Sequence, residues 1–293
     1  MDHKDRLVAV TGGGRLDAMD WGDVQPYVMF MTGRCGSTWL TELLAATGLA
    51  GNPDEWLNPD RATHSRALAG SLPGYFANLV GQQSSGGRFG MQVDAVRLRD
   101  TLPVVEWDRV FPSVSTPTFF LYRRDIAAQA WSWVHARKSG IWHSTSPARE
   151  DRPEYAPTMR ELADEVVLLR RQEEYLASFW AEHGYEPMFI EYETLAADPA
   201  VTVAGILRHL GVAEDEIAGH LAVAETKVER LTYDASRERE LRTFRYGNMT
   251  VLAALERDRF GVGSGVLDEW LARVEPIAAH LVGADSVVPS PLG

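Results

Sequence analysis

The chain is poor in cysteine, in long apolar runs and in positive charge. Its single cysteine, Cys35, excludes an intramolecular disulfide bond and a thiolate cage for zinc. Each apolar stretch is interrupted within a few residues by Arg, Asp or Gly, so we expect no segment that spans a bilayer. The N-terminal residues lack the apolar run and small-residue cleavage site of a signal peptide. We therefore expect a soluble, cytoplasmic protein without membrane insertion.

The balance of charge disfavours a second group of functions. The 293 residues include 29 Lys and Arg against 41 Asp and Glu, which gives a net charge of −12. An acidic surface repels polyanions, so we expect no nucleic-acid partner. A bound anion would require a local pocket whose field opposes that of the whole protein. The length and the 45% hydrophobic content predict a globular protein, which we interpret as one domain covering residues 1–293.

Short apolar runs bounded by turn residues alternate with longer helical patterns. This alternation predicts the α/β class, with a central parallel sheet flanked by helices. The predicted strands cover residues 27–31, 89–93, 118–122 and 187–192, and the predicted helices cover residues 39–46, 125–138, 159–183 and 201–210. Residues 60–88 and 141–158 are rich in Gly, Ser, Pro and polar side chains, and we interpret both segments as loops over a binding face.

The strongest local signal is the segment Thr-Gly-Arg-Cys-Gly-Ser-Thr at residues 32–38, here called the phosphate loop. It joins a predicted strand to a predicted helix, so its backbone N–H groups and the helix dipole point at one place. Gly33 and Gly36 allow an anion to approach the backbone closely. Arg34 adds a permanent charge with forked donors. The alternative interpretation is a tight turn in which a serine caps the helix.

The spacing of this loop differs from that of nucleoside triphosphatases. Their motif needs a longer glycine loop and a Lys that reaches the outer phosphates, but no Lys follows Gly36. The shorter loop is typical of binding one phosphate group without an obligatory metal, and we expect no metal. Two alternatives remain. The first is a small-molecule kinase, which would need a longer Gly-Lys loop and a metal-binding acid at a strand end, and neither is apparent in the sequence. The second is a nucleotide-binding module without catalysis.

The phosphate loop, continuing into Trp-Leu-Thr-Glu-Leu-Leu, resembles the 5′-phosphosulfate loop of sulfotransferases that use 3′-phosphoadenosine 5′-phosphosulfate. Residues 47–56 resemble the T-G-x-A-G-x-P-x-E-[FYW] segment of the bacterial trehalose 2-sulfotransferase-like family. Residues 122–132 are similar to that family's 3′-phosphate motif, and 140–143, 171–173 and 190–193 fit its later landmarks. The resemblance covers about residues 26–245. It leaves 246–293 as a C-terminal extension of helical pattern that the family does not explain.

The resemblance implies sulfuryl transfer to a hydroxyl of a small-molecule or carbohydrate-like acceptor, with 3′,5′-phosphoadenosine as the second product. It implies two catalytic residues. Arg34 stabilises the charge that builds on the leaving 5′-phosphate. Glu55 is the general base, and the apolar residues after it exclude water and raise its pKa. His143 is the rival base, and His64 is a weaker one. Trp56 and His143 are the predicted acceptor-binding residues.

The resemblance also implies a set of nucleotide-binding residues, namely Arg34, Cys35, Gly36, Ser37, Thr38, Arg123 and Ser132. Arg123 and Ser132 flank the first half of the predicted helix 125–138, where they would hold the 3′-phosphate. Arg124 either shares this task or faces solvent. Lys227 and Arg230 open a segment that in relatives closes over the nucleotide, although a solvated face is the simpler interpretation. Relatives often form dimers, so a homodimer is a further expectation.

The chain departs from the family at three positions near the phosphate loop. Gly33 stands where Pro is common, Cys35 where Ser is common, and Gln92 where relatives often have Lys. Cys35 allows two interpretations. A thiol at a helix N-terminus beside an arginine has a lowered pKa and heightened reactivity. The simpler interpretation, which we favour, is a small residue that fits its place.

Overall fold

The computed structural model describes residues 3–141, 156–221, 235–257 and 259. In chain order, its elements are α1 (His3–Thr11), β1 (Gln25–Met31), α2 (Ser37–Thr47), α3 (Pro59–Thr63), α4 (Leu72–Gln83), β2 (Arg88–Asp94), α5 (Ala95–Thr101), α6 (Trp107–Val110), β3 (Thr118–Tyr122), α7 (Ile126–Ser139), α8 (Met159–His183), β4 (Met188–Glu191), α9 (Tyr192–Ala197), α10 (Pro199–His209), α11 (Glu214–Leu221) and α12 (Ala235–Arg257). The chain forms two compact units, Met1–Arg123 with Phe179–Glu229 and Arg124–Ser178 with Arg230–Gly293.

The first unit contains a four-stranded sheet in the order β2-β1-β3-β4, in which every neighbouring pair is parallel. From β1 the chain moves to one side for β2 and then to the other side for β3. The crevice of an open α/β sheet lies at the carboxyl end of the strand where this direction changes. Met31, the last residue of β1, pairs with Asp94 of β2 and with Leu121 of β3. The phosphate loop therefore begins at that point, and the predicted parallel α/β fold is confirmed.

Both faces of this sheet are covered by helices, which explains why the strands are almost continuously apolar. On one face, Tyr27 and Met29 pack with residues of α2 and α10 in a core cluster. On the other face, Phe30 lies between the ring of Trp180, with a centroid distance of 5.6 Å, and that of Tyr185, at 5.8 Å. Alternate residues of one strand thus serve two separate cores.

The predicted helices are confirmed, with ends that differ by no more than two residues. The pattern over residues 159–183 predicts α8 with the bounds it has in the structure. Asp125 caps α7, because its carboxylate accepts the backbone N–H of Ala128 at 3.1 Å. The same helix ends at Gly140, whose φ of 70° is left-handed.

The interpretation of residues 60–88 as a loop is wrong. The segment contains α4, which begins where the hydroxyl of Ser71 accepts the N–H of Gly74 at 3.2 Å. Tyr75 and Phe76 of this helix are fully buried. The Pro in the first turn and the Gly after it, taken as loop signals, are compatible with the start of a helix. For the second predicted loop, residues 142–155 lie outside the described part of the chain.

The second unit is built from α7, α8 up to residue 178, and α12. Its core includes Ile126 and Trp131 of α7, Val166 of α8 and Phe244 of α12. The helix α12 passes the end of the resemblance at residue 245 and continues to Arg257. Residue 258 and residues 260–293 lie outside the described chain. The single-domain organisation and the separate C-terminal extension stay predictions.

Candidate active site

The phosphate loop runs from the carboxyl end of β1 to the first turn of α2, as its sequence predicts. Gly36 is the N-cap of α2 and has a φ of 90°. Arg34 has a φ of 66° and is the one residue other than glycine with a positive φ among those described. A side chain held in this region costs about 1–3 kcal/mol, and such strain concentrates at functional sites. The loop backbone is therefore held in an uncommon shape at the point where the helix begins.

The alternative interpretation of the loop, a turn capped by serine, is wrong. Ser37 is the first residue of α2, and the cap position belongs to Gly36, which has no side chain to accept a hydrogen bond. Glycine as the cap leaves the first N–H groups of the helix without a capping side chain from that position. This arrangement is typical of helix N-termini that bind an anion.

Cys35 points into the core. Its side chain is fully buried and belongs to the same cluster as Leu40 and Leu44 of α2. Burial raises the pKa of the Cys35 thiol to about 12, and hydrogen bonds from nearby backbone and Ser37 only partly oppose this rise. The interpretation of a reactive thiol with a lowered pKa is wrong, and the small residue that fits its place is confirmed. The proposed anion contact of this residue concerns its backbone N–H, which this orientation does not affect.

Tyr192 connects the phosphate loop with Arg123. A Cβ on Gly36 would lie 2.6 Å from Cδ2 of Tyr192, so the ring rests directly on the loop backbone. The guanidinium carbon of Arg123 lies 4.7 Å from the centroid of the same ring, which is a cation–π contact. Arg123 follows β3 and is buried, while Tyr192 follows β4. The sequence supplied a signal for Tyr192, because this residue belongs to one of the family landmarks, but we assigned it no role.

Glu55 lies at the same edge of the sheet as the phosphate loop. The residue before it, Asp54, forms a parallel bridge with Met91, and its carbonyl accepts the N–H of Gln92 at 2.9 Å. The segment that carries Glu55 is thereby attached to the middle of β2, and the Glu55 carboxylate reaches Arg97, which follows the carboxyl end of that strand. Because the last residues of β1 and β2 pair with each other, Glu55 and the loop are brought to one edge by the register of two strands.

The carboxylate of Glu55 is held by two side chains. Nη2 of Arg97 lies 3.2 Å from Oε2, and Nδ2 of Asn58 donates to the same oxygen at 2.9 Å. Burial raises the pKa of Glu55 above its ordinary value, and the charges of Asp94 and Asp54 add to this rise. Arg97 and the Asn58 hydrogen bond oppose it. Neither Arg97 nor Asn58 was expected from the sequence, because no local pattern connects them with Glu55.

Trp56 is buried rather than displayed on the surface. Its indole N–H donates to the carbonyl of Gly90 at 3.2 Å, and its own carbonyl accepts the hydroxyl of Tyr75 at 2.9 Å. These contacts fix the turn that presents Glu55, and the acceptor-binding role of Trp56 stays a prediction. His64, the weaker candidate base, is exposed, and its Nδ1 lies 2.8 Å from the carbonyl of Asp60.

The remaining predicted nucleotide contact, Ser132, belongs to the second unit. It is buried on α7, and its role at the 3′-phosphate stays a prediction. A cavity of about 280 Å³ lies at the beginning of the same helix, and Arg124 and Arg245 are among its lining residues. Arg124 is exposed and Arg245 pairs with Asp125. His143, Lys227 and Arg230 lie outside the described residues.

Comparison with known proteins agrees with the resemblance seen in the motifs. Residues 26–78 and 100–245 match the sequence model of the family described as Stf0 sulphotransferase. These ranges make up more than half of the chain, and the chain belongs to this family. It is therefore a transferase of the sulfotransferase type, and the expected family is confirmed.

Two individual proteins are also similar to the chain. The trehalose 2-sulfotransferase of Mycobacterium tuberculosis (strain ATCC 35801 / TMC 107 / Erdman) is 26% identical in an alignment 236 residues long, and the match covers 64% of this chain and 85% of that protein. The solved sulfotransferase domain of the Synechococcus PCC 7002 olefin synthase is 13% identical, with a TM-score of 0.36 over 79% of this chain and 98% of that domain.

Within the described ranges, no helix combines the length and the apolar character that crossing a bilayer requires.

Proposed function

We propose that the protein transfers the sulfuryl group of 3′-phosphoadenosine 5′-phosphosulfate to a hydroxyl of a small, carbohydrate-like acceptor. Arg34 and the N–H groups of the phosphate loop bind the 5′-phosphate, and Glu55 is the general base. The observation that carries the proposal is the placement of an uncapped helix N-terminus and a carboxylate of raised pKa at one edge of the sheet.

The residues at the phosphate loop fit a nucleotide of this kind. With Gly36 as the N-cap, no side chain at that position caps the N–H groups at the start of α2, and the loop is short enough for one phosphate group. Arg123 is buried against the ring of Tyr192, so its guanidinium is fixed before a second phosphate arrives. When bound, the nucleotide supplies the activated sulfuryl group and a phosphate as the leaving group.

Arg34 and Glu55 then have separate tasks. Negative charge builds on the leaving phosphate, and a fixed guanidinium beside it stabilises that charge without reorganisation. Glu55 removes the proton of the acceptor hydroxyl. A base works best when its pKa lies near the working pH, and the raised pKa of Glu55 moves in that direction.

The acceptor is proposed by analogy. A relative that covers 64% of the chain is a trehalose 2-sulfotransferase, which favours a sugar hydroxyl and makes trehalose the first compound to test. Trp56 and His143 stay the predicted acceptor-binding residues. The cytoplasmic location and the homodimer stay predictions from the sequence.

Calorimetry with 3′,5′-phosphoadenosine and with ATP–Mg²⁺ tests the donor. We expect tight binding of the bisphosphate and little binding of ATP, and the reverse result would favour the kinase alternative. Arg123→Ala should weaken binding of the bisphosphate by about 2–5 kcal/mol, as expected when one partner of a buried charge contact is removed. Arg123→Lys, which keeps the positive charge but lacks the paired N–H donors of the guanidinium, should weaken binding of the bisphosphate by less.

Glu55→Gln tests the base. We expect turnover with trehalose, or with another sugar found by a sulfonate mass shift, to fall by about 10²–10⁴. Affinity for 3′,5′-phosphoadenosine should stay unchanged, because the amide keeps the size of the side chain. Glu216→Gln, on the exposed surface of α11, is the matched control. Normal turnover in Glu55→Gln would transfer the role to His143, and a module without catalysis would transfer no sulfuryl group in any variant.

A further inference from the structure

The two oxygens of the Glu55 carboxylate have different surroundings. We propose that Arg97 is a positioning residue, which together with Asn58 holds Oε2 of Glu55 and so directs Oε1 to take the proton of the acceptor hydroxyl. This inference rests on the proposed function, since it assigns the atoms of the same base. In the transfer, the acceptor O–H bond breaks and an Oε1–H bond forms. The electron pair of that O–H bond forms the new bond from the acceptor oxygen to sulfur, and the bond between sulfur and the 5′-phosphate oxygen breaks with its pair on the leaving 3′,5′-phosphoadenosine.

The contacts around Glu55 are asymmetric. Both of its side-chain partners reach Oε2, Arg97 at 3.2 Å and Asn58 at 2.9 Å. Among the residues that the structure describes, none forms a hydrogen bond with Oε1. The side chain is 23% exposed, so it is neither sealed in the core nor free in solvent. One oxygen is anchored, and the other is available to a substrate.

Arg97 is itself fixed at both ends. Oδ1 of Asp94 accepts the backbone N–H of Arg97 at 2.7 Å, which caps α5, and Oδ2 of Asp94 binds Nη1 of the same residue. Asp94 is the last residue of β2, so the guanidinium is tied to the sheet. Nη2 then faces Glu55. Such support from a second layer of contacts holds a reactive group within the narrow range of positions that catalysis needs.

Asn58 is oriented in the same way. Its Oδ1 accepts the N–H of Asp60 at 3.1 Å, which caps α3. With the oxygen of the amide occupied, the nitrogen faces Glu55. Two helix caps, on α3 and α5, thereby converge on one carboxylate oxygen.

The charges that face Glu55 give Arg97 a second effect. Asp94 and Asp54 are the acids that raise the pKa of Glu55, and Arg61 pairs with Asp54 at 3.4 Å. Among the described residues, Arg97 is the one charge that lowers the pKa of Glu55. Its side chain is 19% exposed, so solvent screens this attraction only in part. Arg97 therefore opposes the rise in the pKa of Glu55 that burial and two neighbouring acids cause.

The residues of these contacts lie partly inside and partly outside the ranges that match the family. Residues 79–99 lie between the two matched ranges, and they include both Asp94 and Arg97. Glu55 and Asn58 lie within the first range.

Arg97→Gln separates the positioning role from a structural one. Protein labelled with ¹³C at the glutamate carboxyl carbons is titrated by NMR, with the Glu55 signal identified by its loss in Glu55→Gln. We expect the pKa of Glu55 to rise by about 1–2 units in Arg97→Gln, as for the loss of a neighbouring opposite charge. Arg97→Lys should restore most of this difference. Arg99→Gln, on the same helix but paired with Asp100, is the matched control and should titrate like the wild type.

The pH profile of turnover with trehalose gives the second measurement. In Arg97→Gln, the acidic limb of the kcat profile should move to higher pH by the same amount as the Glu55 titration. Below the new pKa, kcat should fall about tenfold for each pH unit. An unchanged Glu55 titration or an unmoved acidic limb in Arg97→Gln would overturn the proposal. If Arg97→Gln does not fold, Asn58→Asp keeps the cap on α3 and replaces the donor by a negative charge. It should raise the pKa of Glu55, and an unchanged pKa counts against the proposal.

Failure of the proposed function is visible separately. If the wild type does not bind 3′,5′-phosphoadenosine, or if Glu55→Gln turns over normally, the proposed function is overturned. The NMR titration requires neither nucleotide nor acceptor, so it still decides whether Arg97 controls the Glu55 carboxylate.

Discussion

Gly36→Ala tests the contact between the phosphate loop and Tyr192. The residue has a φ of 90°, and a Cβ there would lie 2.6 Å from Cδ2 and 2.8 Å from Cε2 of the tyrosine ring. Carbon atoms prefer a separation of about 3.5–4.0 Å, so the ring must move by roughly 1 Å. The left-handed backbone costs about 1–2 kcal/mol for alanine. The overlap adds about 1–3 kcal/mol, which is the usual cost of overpacking.

Gly48→Ala provides the matched comparison. Gly48 caps the other end of α2 with a φ of 69°, and a Cβ there meets nothing within 4 Å. This variant should carry the backbone cost alone, so urea unfolding should separate the two variants by about 1–3 kcal/mol. Calorimetry with 3′,5′-phosphoadenosine should detect weaker binding only in Gly36→Ala, because moving Tyr192 also moves the ring that supports Arg123.

A double-mutant cycle completes the test. In a Tyr192→Ala background, the loss caused by Gly36→Ala should shrink toward that of Gly48→Ala, because the overlapping ring is gone. Equal losses for the two glycine variants in the wild-type background would refute the described contact. An undiminished loss in the Tyr192→Ala background would refute it as well.

Two further predictions concern buried titratable groups. Cys35 should react slowly with iodoacetamide at pH 8 in the folded protein, because burial raises the pKa of its thiol. It should react fully once urea unfolds the chain. Rapid alkylation of the folded protein, measured by mass spectrometry, would contradict the burial of Cys35. Burial raises the pKa of Glu165 to about 7, although Arg137 lies 3.0 Å away. Because the folded state holds this proton at higher pH than the unfolded state, the carboxyl stabilises folding at low pH, and that contribution is lost as pH rises through about 7. Between pH 4 and pH 8, the free energy of unfolding of the wild type should fall by about 3 kcal/mol more than that of Glu165→Gln. If urea unfolding shows the same pH dependence for both proteins, the raised pKa of Glu165 is ruled out.

The sequence predicts those parts of the fold that depend on local patterns. The strand at residues 118–122 and the helix Met159–His183 have the predicted bounds, because an apolar run and a helical period are each visible within one segment. The helix α4 was missed because Pro73 and Gly74 occupy its first turn, where they are tolerated but resemble a loop.

The candidate site likewise contains one part that a local sequence pattern predicts and one part that it does not. The phosphate loop is contiguous, so its residues and its chemistry could be recognised together. The contacts of Glu55 with Arg97 and of Gly36 with Tyr192 join residues that are distant in the chain. Such pairs depend on strand register and on which element packs against which, and one sequence does not encode this in any local pattern. The capping sequence Asp94 to Arg97 is readable as a helix start, but not as the support of a base.

The attachment of Glu55 to β2, rather than to the strand that carries the phosphate loop, has a consequence for how such enzymes diverge. The backbone of Asp54 is tied to Gln92, whereas the phosphate loop is continuous with β1. In the proposed function, donor binding and deprotonation of the acceptor therefore depend on two neighbouring strands. If Glu55 is the base as proposed, we expect substitutions around α3 and α5 to change the acceptor that is deprotonated while the phosphate loop stays unaltered. A library that varies these helices but keeps Arg97, and leaves β1 and α2 untouched, would search for new acceptors without changing the phosphate loop.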